Sequence, residues 1–133
     1  MCATHGIVFQ GSRFWVTHRR RRYGPFDYEW SKDFAGIELM FAGDKFGEYC
    51  GNEEIFADLK EYHLPDAVVP VATIVIGCVV YGVLNGLRET ERARLIVDHL
   101  AKRGFGRFAQ IETEPEPKDP QADVVKRKLH PRD

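Results

Sequence analysis

Arginine and aromatic residues crowd together in the segment Phe14-Trp15-Val16-Thr17-His18-Arg19-Arg20-Arg21-Arg22-Tyr23. Guanidinium groups follow phosphates and rings stack on bases, so such a segment on an exposed sheet would suit single-stranded nucleic acid. The residues that would carry this chemistry are Trp15, Arg19, Arg21, Tyr23 and Tyr28. The neighbouring segment argues for something plainer. With Tyr23-Gly24 at the centre of a hairpin turn, Arg20 pairs with Asp27 and His18 with Glu29, while Arg19 and Arg21 face Tyr28 and Phe26. The arginines are then met within the chain, on an edge strand that their charge protects from further pairing. This internal pairing is the preferred expectation, with nucleic-acid binding kept as an alternative.

Other chemistries find less support. Cys2, His5, His18, Cys50, His63, Cys78, His99 and His130 contain no CxxC, no HExxH and no histidine pair at i,i+4, so no metal site is expected. Cys50 and His63 would need an orienting group and an oxyanion hole to act as nucleophile and base, and no GxSxG elbow exists. Cys78, set in an apolar run, reads as a small buried hydrophobe. Glu53-Glu54 and Asp27/Glu29 are explained by a helix dipole and a solvent face. GLRETER and GFGRF match neither phosphate-loop nor dinucleotide spacing. The expectation is a non-catalytic protein with no cofactor and no identified small-molecule substrate.

The elements that would position these residues follow from composition and period. With 133 residues, 44% of them hydrophobic, the chain is long and apolar enough for one packed core. Nineteen Lys+Arg against twenty Asp+Glu leave a net charge of -1, which removes any whole-molecule attraction to nucleic acid or anionic lipid. Three scattered cysteines fit neither a disulfide framework nor a metal knuckle, and MCATHGIVFQ has no basic leader before an apolar segment. A cytoplasmic setting is expected, with the membrane as the alternative.

Residues 1–62 hold 13 of the 16 aromatics, in short runs punctuated by glycine, and read as an antiparallel meander. Strands are expected near Ile7–Gln10, Phe14–Arg22, Phe26–Ser31, Ile37–Ala42 and Phe46–Cys50. Asn52 caps a short amphipathic helix through Ile55, Phe56, Leu59 and Tyr62. A second helix spans about Arg88–Arg103, with Leu95, Ile96, His99 and Leu100 on its apolar stripe, Arg92 off it, and Gly104 past its end. Gly104-Phe105-Gly106-Arg107-Phe108 then turns the chain back to the sheet through Phe108–Ile111. From 112 to 133 six acids and five bases alternate with four prolines, a composition that cannot build a core; Lys126-Arg127-Lys128 reads as solvated.

The run from Ala67 to Leu87 contains no charge, and 15 of its 21 residues are apolar. That is the length of a single membrane span, with arginines clustered beyond it. Pro70, Gly77, Gly82, Asn85 and Gly86 interrupt the run, and its ten β-branched residues would also suit two buried strands. A buried helix from Pro70 to Gly86 is preferred, because Gly-Cys is weak turn chemistry for a hairpin. A helix apolar all round needs cover on every side, and a small chain supplies only part of it. Self-association through Val75, Val79 and Val83 is therefore expected.

The reading is an α+β domain over 1–111: a β-meander of four to five strands followed by two to three helices, with a disordered charged tail over 112–133. Its expected function is a protein-interaction or self-assembly module, and its expected partner a second copy of the chain. The alternatives are a single-pass membrane protein spanning 67–87 and a single-stranded nucleic-acid binder through the 14–30 hairpin.

Overall fold

The structure, a computed structural model, describes residues 5–30, 36–48 and 59–115 together with Ile55 and Ala57. Strands come first: β1 (His5–Gln10), β2 (Arg13–His18), β3 (Arg21–Trp30), β4 (Ile37–Phe41) and β5 (Asp44–Glu48). Helices α1 (Val69–Leu84) and α2 (Glu89–Lys102), a 3-10 turn (Gly106–Phe108) and β6 (Ile111–Thr113) follow. The architecture is α+β, on one sheet of order β5-β4-β3-β2-β1-β6. The sixth strand is one more than expected, and it lies parallel to β1, with Ile7 opposite Ile111. The sheet is therefore mixed.

Alternation sorts the side chains onto two faces. Opposite residues share a face, so Ile7, Phe9, Phe14, Val16, Tyr23, Phe26, Tyr28, Leu39 and Phe41 line the inner one. At its centre the Phe26 ring stacks on Phe14 at 4.9 Å and tilts against Phe41 at 5.0 Å. The outer face carries Trp15, Arg22, Asp27 and Met40.

The β2–β3 hairpin corrects the sequence reading. Its turn is at Arg19-Arg20, both left-handed with φ of 52° and 67°, as a two-residue hairpin loop demands. His18 lies opposite Arg21 and Thr17 opposite Arg22. The expected pairs Arg20–Asp27 and His18–Glu29 do not form, and β2, flanked by β1 and β3, is not an edge. Tyr23-Gly24, expected at the turn centre, lies inside β3, where Gly24-Pro25 forms a bulge: two residues face Trp15 alone, and a bulge tolerates proline's missing N–H. A Cβ on Gly24 would lie 2.9 Å from the Phe14 carbonyl oxygen, so the bulge needs glycine.

The uncharged run forms α1 despite its β-branched content. Pro70 sits in the first turn, where no N–H is required of it. The Thr73 hydroxyl donates to the Val69 carbonyl at 2.8 Å, and the Asn85 side chain donates to the Tyr81 carbonyl at 2.8 Å where the helix stops. Eleven of its sixteen residues are buried, so the chain itself provides most of the cover. At ~1.5 Å per residue α1 is about 24 Å long, short of a ~30 Å bilayer core. Among the described residues no helix is long and apolar enough to cross a membrane.

Helix α2 follows its capping signals. The Arg88 N–H donates to the Glu91 carboxylate at 2.9 Å, Gly104 takes a left-handed φ of 85°, and the Phe105 N–H returns to the Leu100 carbonyl at 2.8 Å. Ile96 and Leu100 are buried beneath it, worth about 1.5–3 kcal/mol each. Ile55, Ala57, Leu59 and Lys60 are helical where a short helix was expected, with Ile55 and Leu59 buried; Asn52, Glu53, Glu54 and Phe56 lie outside the described residues. The body of the fold runs past 111, because β6 continues to Thr113 and Glu114 is bound to Arg22. Of the expected tail, residues 116–133 lie outside the described residues.

Candidate functional site

At one end of the inner face, the sheet and α2 diverge around a cavity of about 360 Å³. Each wall follows from a local pattern. Phe9 stands on the inner face one residue before the end of β1, and Gly11-Ser12 turns the chain into β2 beside the cavity. Tyr28 of β3 and Val79 of α1 form the floor, while Ile111, Thr113 and Glu114 close the side along β6. Helix α2 contributes Glu89, Arg92, Ala93 and Ile96, one stripe at i, i+3, i+4 and i+7. The volume lies at the small end of the range of ligand pockets, and the walls combine an apolar floor with a few polar groups.

Arg92 is held by close packing of the two helices. A Cβ on Gly82 would lie 2.5 Å from both Cγ and Cδ of Arg92, so the arginine stem crosses α1 where α1 has no side chain. Arg92 is half-buried. Among the described residues neither its guanidinium nor the Tyr28 hydroxyl has a hydrogen-bond or ion-pair partner. Glu114 in the same wall is engaged: Arg22 reaches across the outer face and donates to both of its oxygens, one at 3.2 Å, and Gln10 adds a long contact at 3.5 Å. The hydrogen bonds and charge of Arg22 hold the Glu114 carboxyl below the usual carboxylate range. Glu89 is solvent-exposed and makes no ion pair with Arg92.

No family model, curated protein or solved structure matches the chain. The geometry alone therefore has to carry the functional argument.

The five residues considered for nucleic acid are not gathered on one face. Trp15 is on the outer face, Tyr23 and Tyr28 are on the inner one packed against the core, Arg19 is in the turn, and Arg21 is exposed at the start of β3. The arginine over the Trp15 ring, at 5.8 Å, is Arg22. Of the three valines expected at an interface, Val75 is fully buried, Val79 is 7% exposed and lines the cavity, and Val83 is half-buried. What α1 does expose is Tyr81 at 53% and Leu84 at 57%.

Tyr81 borders a second groove of about 400 Å³ between α1 and α2, with Ile74, Cys78, Leu95, His99 and Arg103. Burial pushes the Cys78 thiol up to about 11, only partly offset by Arg103. A thiol so poised is not a nucleophile near neutral pH. Among the described residues no three His, Cys, Asp or Glu side chains are placed to hold a metal ion. Cys2, Cys50 and His130 lie outside the described residues.

The sequence pattern gave Arg92 no role, placing it only off the apolar stripe of α2. The available signal was a second stripe, Glu89-Arg92-Ala93-Ile96, adjoining the apolar one.

Proposed function

We propose that the protein is a non-catalytic binding module that receives a small apolar molecule in the cavity between the sheet and α2. The observation that supports this is the cavity itself: about 360 Å³, with Phe9, Tyr28, Val79, Ile96 and Ile111 in its lining beside a few polar groups. A solvatochromic naphthalene dye tests it. The expected result is enhanced dye fluorescence with the wild-type protein and loss of that signal in Ala93→Phe, which puts a ring on the cavity wall, with circular dichroism confirming that the variant is folded. Equal signals from the two proteins would show that the dye sits elsewhere and would remove the proposal.

A second reading, self-association, is favoured by Tyr81 and Leu84, which are more than half exposed near the end of α1. Sedimentation at micromolar concentration addresses it. A dimer that becomes monomeric in Tyr81→Arg/Leu84→Arg would support the reading, and a wild-type monomer would exclude it.

A further inference from the structure

We infer that the cavity ligand is a monoanionic amphiphile, an aliphatic chain ending in a carboxylate, whose head group is bound by Arg92. This rests on the cavity reading above and narrows it to one chemical class.

The walls select the tail. Val79, Ile96 and Ile111 are aliphatic, and Phe9 and Tyr28 add ring surface, so a hydrocarbon segment replaces water against this apolar surface. Arg92 selects the head. Its stem is pinned against Gly82, so its guanidinium is presented to the cavity margin with little rotamer freedom left to lose, and no acidic partner holds it. With no acidic partner for it among the described residues, a ligand carboxylate would supply the matching charge.

The charge of the head follows from the neighbours. Besides Arg92 the lining holds the Tyr28 phenol and two carboxylates: Glu114, already held by Arg22 and Gln10, and Glu89, exposed to solvent. A phosphate dianion would need more than one cation, and among the described residues Arg92 is the one cationic side chain in the lining. A planar carboxylate matches the guanidinium fork with two parallel hydrogen bonds and a single charge. An uncharged alcohol would use the apolar floor and leave Arg92 unmatched.

The test compares octanoate with octan-1-ol, both below micellar concentration, by calorimetry on the full chain. The wild-type protein is expected to bind octanoate about tenfold or more tightly than octan-1-ol, as suits a charge-assisted pair, with the preference shrinking as salt rises. Arg92→Met keeps an apolar stem and removes the charge. It is expected to bind octan-1-ol as the wild type does and to lose the preference for octanoate. Arg92→Lys is expected to keep part of it. If octan-1-ol binds and octanoate is no better, or if Arg92→Met keeps the preference, the head-group assignment fails while the cavity reading stands. If neither molecule binds the wild-type protein, both are overturned.

Discussion

On the inner face of the sheet the Phe26 ring stacks on Phe14 and tilts against Phe41 within the buried core, whereas on the outer face Trp15 is covered by the Arg22 side chain on its way to Glu114. Each face sets an arginine beside apolar surface. On the outer side Arg22 finds its carboxylate within the chain. On the inner side Arg92 finds none among the described residues. The difference separates a charge that closes a surface from a charge that leaves a site open: one is matched locally, the other waits beside a cavity.

The largest expected effect lies in the phenylalanine stack. Phe26→Ala should cost about 3–5 kcal/mol in urea unfolding, because a fully buried ring is removed from between two others. Trp15→Ala, at a half-buried outer position, should cost about 1 kcal/mol. Equal losses would mean that the outer face is as closely packed as the inner one, and the contrast would fail.

The Arg22–Glu114 pair sharpens the same contrast through pH. Glu114 has a folded-state pKa below its ordinary value, so its contribution to stability is complete above the ordinary carboxylate range and disappears as pH falls through the folded value. Wild type should therefore be more stable than Glu114→Gln at neutral pH, with the two stabilities converging in acid. Because both side chains are substantially exposed, added salt should shrink the difference. A difference that persisted at low pH would show that the carboxylate charge is not its source.

The smallest effect concerns Cys78, in the groove beside Tyr81. With its thiol raised to about 11, it should hold about a hundredfold less thiolate at neutral pH than an ordinary thiol of pKa 9. Site-resolved mass spectrometry of alkylation should find Cys78 slow in the native protein, accelerating towards about pH 11 and on unfolding. Rapid native labelling at neutral pH would mean that burial does not hold the thiol in its protonated form.

Much of the fold was legible where the signals are local. Gly104 behind Lys102 and Arg103 marked the end of α2, Pro70 and Asn85-Gly86 bracketed α1, and glycine punctuation separated the strands. Legibility ended where long-range pairing overrode local chemistry. Arg19-Arg20 carries none of the glycine or asparagine that a left-handed two-residue turn favours, so Tyr23-Gly24-Pro25 drew the turn to itself. The parallel pairing of β6 with β1 joins residues about a hundred positions apart, and no local pattern announces it. Arg92 was hidden for a related reason. Its role depends on Gly82, ten residues earlier on another helix, and on strands that reach the cavity from both ends of the chain.

The most direct test of the central claim is a methyl spectrum of the full chain during octanoate titration. The expected result is saturable shifts at Val79, Ile96 and Ile111, which line the sheet–α2 cavity, with Ile74 and Leu95 in the other groove unmoved. Shifts confined to Ile74 and Leu95, or no saturable shift at all, would contradict it.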